Sequence, residues 1–245
     1  MKRLYRKKRR TRRNRKQKGG GLIEKVWCFW LGGTPMSEQR KNCLQTIRDV
    51  IGVEVELVTD ETLIKYEKKN APFHKAYKYL SGTHKCDYAR GYFMHHYGGG
   101  YTDIKRTSQS WKPYFDELRT DTNLWAIGYG EVNADGVAPA IGNEALTKEM
   151  RDNYTKLIGN CAYIFKPGTE FTSAWVDQVN LELDKHFSEL KKHPATNPRD
   201  GEHGQITEYP ISWTGILGSI FHPLAYKFSS HIKTTLPPPD FTNYQ

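Results

Sequence analysis

Between Thr83 and Lys105 the chain gathers the side-chain types needed to hold a charged, hydroxyl-rich ligand. Cys86-Asp87-Tyr88-Ala89-Arg90 sets an acid and an arginine three residues apart, a spacing that brings two side chains to one face of a helix. Next comes Tyr97-Gly98-Gly99-Gly100-Tyr101-Thr102-Asp103-Ile104-Lys105. Its glycines let the chain reverse without a Cβ clash, and a short aromatic strand then ends in an acid with a lysine two positions on. A guanidinium offers a planar fork to phosphate oxygens, and a carboxylate accepts hydrogen bonds from hydroxyls. Where a helix and a strand end converge, such groups have the layout for a sugar joined to a diphosphate. Spacing alone leaves a second account open, because an exposed i,i+3 ion pair contributes only about 0.2–0.5 kcal/mol and needs no ligand.

The surrounding elements read as α/β. Lys25–Leu31 is an apolar run ending at Gly32-Gly33, as a buried first strand ends in a loop. Trp30 at its end is either a core tryptophan or a platform for a flat ring. Ser37 can cap a helix from Glu38 to about Asp49. Val53, Val55 and Leu57 alternate with Glu54 and Glu56, a half-buried strand that stops at Thr59-Asp60. A helix is expected from about Ser81 to Tyr97, then a strand from Tyr101 to Ile104. Leu124–Tyr129 and Cys161–Phe165 read as further strands. Phe171–His193 reads as an amphipathic helix with Trp175, Val179, Leu183, Phe187 and Leu190 along one stripe. Alternating strands and helices favour a mostly parallel sheet, with its ligand site at the strands' carboxyl ends. His95-His96 resembles a metal pair only in sequence, because adjacent helical residues diverge by roughly 100°.

Charge is concentrated at one end. Residues 1–18 hold twelve of the 37 Lys and Arg and no acid, which leaves 25 basic against 27 acidic residues in the remainder. The net charge of +10 therefore belongs to an arm, and the body is near neutral. Such a block self-repels and has little apolar surface to bury, so residues 1–21 are expected to be a disordered basic tail with a Gly19-Gly20-Gly21 joint. Residues 22–245 are expected to be the folded domain. The arm could solubilise, direct the chain to the nucleus or nucleolus, or attract RNA, DNA or an anionic surface non-specifically. The arm resembles the N-terminal tails of proteins encoded by large DNA viruses. The four cysteines are scattered and fit reduced thiols, and no apolar run is long enough to span a bilayer. Together these favour a soluble, cytoplasmic protein with no transmembrane segment.

Phe29-Trp30-Leu31-Gly32-Gly33, Cys86-Asp87-Tyr88-Ala89-Arg90 and Tyr97-Gly98-Gly99-Gly100-Tyr101-Thr102-Asp103 together resemble the DXD-containing sugar transferases of the glycosyltransferase-A fold. The resemblance is in particular to the branch described as capsular polysaccharide synthesis proteins. More distantly the chain is similar to yeast initiating mannosyltransferases and clostridial glucosylating toxins, over about Leu22 to Tyr244. The resemblance implies a Rossmann-like α/β domain that moves a hexose from a UDP- or GDP-sugar to a glycan or other hydroxyl acceptor, with retention. It places Trp30, Gly32 and Tyr101 against the donor nucleotide sugar, and Asp87, Arg90, Asp103 and Lys105 at the reacting end. The late Ser212-Trp213 pair resembles a Ser-x-Trp element that touches the donor diphosphate, with a spacing that differs by one. Lys192–Gly204 before it, rich in Pro, Asp, Gly and His, could serve as a lid.

The departure from the family pattern is Asp103-Ile104-Lys105, where a second acid is usual. Residues i and i+2 on an extended segment face the same way, which suits two carboxylates on one Mn²⁺ or Mg²⁺. Here a cation stands in the second place. In the favoured account Asp103 still binds the metal with help from a late residue such as His222. In the other, Lys105, with Arg106, neutralises the leaving diphosphate and no metal is needed. The alternatives to a transferase are a nucleotide-sugar-binding protein without turnover and an RNA- or membrane-associated adaptor that acts through its basic tail.

Overall fold

The structure is a computed structural model that describes residues 21–202, 205 and 207–242. The basic arm, Gly19 and Gly20 lie outside the described residues. In chain order the strands and α-helices are β1 (Lys25–Trp30), α1 (Glu38–Val50), β2 (Glu54–Thr59), α2 (Asp60–Leu63), α3 (Gly82–His96), β3 (Gly99–Thr102), α4 (Lys112–Thr120), β4 (Ala126–Gly130), α5 (Glu144–Asp152), β5 (Ile158–Phe165), α6 (Glu170–Lys192), α7 (Gly218–Lys227) and β6 (Ile232–Lys233).

One six-stranded sheet runs through the fold in the order β2-β1-β3-β5-β4-β6. It is mostly parallel: β1 runs parallel to β2 and β3, and β4 parallel to β6. β5 alone is reversed, antiparallel to β3 and to β4. That reversal shapes the site. It brings the amino-terminal part of β5 beside the carboxyl end of β3, with Thr102 opposite Ala162 and the Asp103 N–H donating to the Cys161 carbonyl at 2.8 Å.

Side chains alternate across the strands and build a core on each face. Trp27 and Phe29 of β1, Tyr101 of β3 and Tyr163 and Phe165 of β5 pack toward α3, α6 and α7. Val26 and Cys28, with Ala162, Ile164 and Ile127, pack toward α1 and α4. The expected stripe on α6 is present, with Trp175, Val179, Leu183 and Leu190 buried and Phe187 at the edge. Ser37 caps α1 by accepting the Arg40 N–H, and Ser81 caps α3 by accepting the His84 N–H, so both helices start where a hydroxyl meets an orphan donor. α3 is buried over most of its length, and its last turn runs into Gly98 and Gly99 at φ 66° and 88°. A side chain would be strained at both positions.

Two local expectations are corrected. The strand expected over Tyr101–Ile104 is Gly99–Thr102, because it is these four residues that pair with Phe165–Ala162 of β5 before the chain turns away. Asp103-Ile104-Lys105 is therefore not extended. The Lys105 N–H closes back on the Asp103 carbonyl at 2.7 Å, a tight turn just beyond the strand. No helix among the described residues is long and apolar enough to cross a membrane.

Candidate functional site

A cavity of about 420 Å³ opens at the carboxyl ends of β1 and β3, between the start of α3 and the segment around Arg199 and Trp213. That volume lies within the range of small-molecule sites. Among the expected residues, Trp30, Arg90, Tyr101, Asp103, Lys105 and Trp213 line it together. Four of the lining side chains are basic (Arg40, Arg90, Lys105 and Arg199) and one, Asp103, is acidic.

Asp103, partly buried, is the centre of a charge cluster whose cations, Arg90 and Lys105, are buried. Its Oδ1 accepts from the Tyr101 hydroxyl at 2.6 Å and pairs with Arg90 Nη2 at 3.2 Å. Its Oδ2 accepts from Lys105 Nζ. Burial favours the protonated acid, but Lys105 and Arg90 outweigh it and hold the carboxyl well below its ordinary range. Arg90 is held on several sides. Its guanidinium lies 4.5 Å from the Tyr101 ring centre, Nη1 donates to the Asn160 carbonyl at 3.1 Å, and Nη2 stands 3.5 Å from Asp87. Burial acts against its charge, yet Tyr101, Asp103 and Asp87 together hold it firmly cationic.

Asp87 sits behind Arg90 rather than in the cavity wall, and is 2 % exposed. Burial pushes its carboxyl up to about 7; Arg90 counteracts this and Asp103 adds to it. At neutral pH it is therefore poised between acid and carboxylate, a property common at functional sites.

Trp30 forms one wall, its indole held by an Nε1–H bond to the Thr34 carbonyl at 2.6 Å. Gly32 has a packing role. At φ 102° it lies against α3, and a Cβ there would come 2.6 Å from the Gly82 Cα. The Asp60 carboxylate at the start of α2 accepts the Gly32 and Gly33 N–H groups at 2.8 and 3.0 Å, which pins this loop to the end of β2.

The opposite wall is the expected lid segment, of which His203 and Gly204 lie outside the described residues. Its remainder is tied to α3. The Pro198 carbonyl accepts the Thr83 N–H at 3.0 Å, and the Asp200 carboxylate accepts the Thr196 and Asn197 N–H groups. Arg199 lies 5.4 Å from the Trp213 ring centre and pairs with Glu202. His84, fully buried, bonds to the Tyr209 hydroxyl at 2.9 Å and approaches the Trp213 carbonyl at 3.4 Å. Burial lowers its pKa to about 4, so it is a neutral strut joining the late segment to α3. Ser212 is exposed and outside the cavity wall.

His222 belongs to a different cluster. Its Nδ1 accepts the Ala138 N–H at 2.9 Å, and its Nε2 stands 3.4 Å from both Glu131 and Asn160. Among the described residues no three His, Cys, Asp or Glu side chains gather as metal ligands. The donors around Asp103 are a poor match for Mn²⁺ or Mg²⁺. Both its oxygens already accept from Arg90, Tyr101 and Lys105, and an ion there would have to displace a lysine or an arginine.

Arg40, Arg199, Asp60 and His84 were not foreseen from sequence. Arg40 reaches the site from the first turn of α1, where Nη1 donates to the Ile104 carbonyl at 2.7 Å. Only the position of Ser37 as a cap, which fixes the turn carrying Arg40, hinted at it. No protein-family model, curated protein or solved structure matches the chain.

Proposed function

We propose that this protein is a sugar transferase of the glycosyltransferase-A type, acting on a UDP- or GDP-hexose and a hydroxyl acceptor such as a glycan. One observation carries the reading: a cation-rich cavity, walled by an indole and centred on an Asp–Arg–Lys cluster, stands at the strands' carboxyl ends. An α/β sheet of this kind places its ligand site there. The indole of Trp30 suits a nucleobase, the cations suit a diphosphate, and Asp103 with Arg90 suits the hydroxyls of the hexose.

In the proposed reaction the bond from the anomeric carbon to the diphosphate oxygen breaks, and its electron pair leaves with the diphosphate. The acceptor oxygen forms the new bond on the same face, and its proton passes to the departing phosphate oxygen. Positive side chains stabilise the charge that develops on the leaving group. Asp87 holds Arg90 from behind and is its positioning partner.

A second reading, binding without turnover, draws on the full engagement of Asp103 by neighbouring side chains. Screening UDP- and GDP-hexoses by thermal shift, followed by a donor-hydrolysis assay, separates the two. Stabilisation with sugar release supports the transferase, and stabilisation alone supports the binding protein. If no nucleotide sugar raises the melting temperature, both readings fall.

A further inference from the structure

Resting on the nucleotide-sugar reading, we propose that the cleft carries its own cation for the donor diphosphate: Lys105, with Arg40 beside it, fills the place of a divalent ion. The turn that closes from the Lys105 N–H to the Asp103 carbonyl folds the lysine back over Asp103 instead of projecting it away. Its side chain is 7 % exposed and lines the cavity. The ammonium is thus largely desolvated and held by Asp103 Oδ2, the Cys161 sulfur at 3.6 Å and the Phe241 ring at 5.3 Å. Arg40 is fixed next to it by the bond to the Ile104 carbonyl. Among the described residues that line the cavity, Arg40, Arg90, Lys105 and Arg199 are basic and Asp103 is acidic.

A divalent ion would meet the opposite conditions. Two held cations would repel it, and the nearby sulfur of Cys161 is a thiol whose pKa burial raises to about 11. A neutral thiol offers Mn²⁺ or Mg²⁺ none of the oxygen ligation they prefer. A diphosphate, by contrast, finds preorganised N–H donors in a site of reduced polarity, where charge-assisted bonds are strongest. When the anomeric bond breaks, Lys105 keeps its proton and its positive charge, and that charge balances the leaving oxygen.

Calorimetric titration of UDP and GDP into the full chain, in EDTA and in MnCl₂, tests this. The affinity of whichever nucleotide binds is expected to agree within about twofold between the two conditions. Lys105→Asp, which restores a second acid, is expected to lose at least about tenfold in EDTA and to recover with Mn²⁺. Wild-type binding that requires Mn²⁺ would overturn the proposal and leave the nucleotide-sugar reading standing. So would a folded Lys105→Asp variant that binds as wild type in EDTA. Absence of binding by either nucleotide in both conditions would remove the nucleotide-sugar reading itself. The wild-type comparison needs no variant, so a misfolded Lys105→Asp protein does not block the test.

Discussion

Replacing Asp87 by Asn isolates what it costs the fold to keep a carboxylate behind Arg90. The side chain is 3 % exposed, and its ion pair with Arg90 Nη2 is long, at 3.5 Å. Burial moves its pKa from 3.8 up to about 7, with Arg90 offsetting only part of that. Because the folded state holds the proton more tightly than the unfolded chain, the group lowers stability as pH rises from about 4 to 7 and imposes its full cost above that. At about 1.4 kcal/mol per pH unit, that interval corresponds to about 4 kcal/mol as an upper bound. The neutral, isosteric Asn escapes this cost. Asp87→Asn is therefore expected to melt higher than wild type at pH 8, by a rise approaching about 10 °C for a chain of this size. The gap should close as the pH falls to about 4, where Asp87 is protonated in both states. Scanning fluorimetry or calorimetry of the pair from pH 4 to about 8.5 reads the difference directly, and the other titrating groups cancel between the two proteins. A variant that melts lower than wild type at pH 8, or a gap that does not change with pH, would refute the reasoning. Asp87→Ala should cripple turnover while leaving nucleotide binding nearly intact.

Trp30→Ala should weaken nucleotide binding by about 1–3 kcal/mol, roughly 5- to 150-fold, read by calorimetry with the fold checked by circular dichroism. Gly32→Ala should cost about 2–4 kcal/mol in denaturant unfolding, because its φ of 102° strains an L-residue and its Cβ would press on Gly82. Deleting residues 1–18 should leave kcat/KM for the donor unchanged, and loss of turnover in the truncated chain would make the arm part of the site.

How far the sequence could be read depended on how local each cause was. β1, α1 and β2 were legible because an apolar run, the Ser37 cap and a strand alternation are each written within a few residues. α7 gave no such signal, since Pro223 lies inside it. α5 spans only nine residues, so its one apolar pair a turn apart, Leu146 and Met150, is too short a pattern to set it off from a loop. The reversal of β5 depends on the long passage from Gly130 to Ile158, which carries no strand-direction signal of its own. Within the site, the pairing of Arg90 with Asp103 follows from the helix-turn-strand motif, but the recruitment of Arg40 and Arg199 depends on tertiary contacts across more than sixty residues. The turn at Asp103-Ile104-Lys105 was misread as extended, because an i,i+2 spacing says nothing about a hydrogen bond that closes the backbone on itself. The contact of Gly32 with Gly82 likewise joins positions far apart in sequence, which explains why Gly32 was expected to touch a ligand when it packs a helix instead.

Release of nucleoside diphosphate from a panel of UDP- and GDP-hexoses, by wild type, Trp30→Ala and Lys105→Gln side by side, tests the central claim most directly. The account predicts turnover by the wild type, a KM raised about fivefold or more in Trp30→Ala, and a kcat lowered by about 10²–10³ in Lys105→Gln, the range for loss of one charge-stabilising donor. Equal turnover by all three folded proteins would contradict it, because the cleft would then be separate from the chemistry.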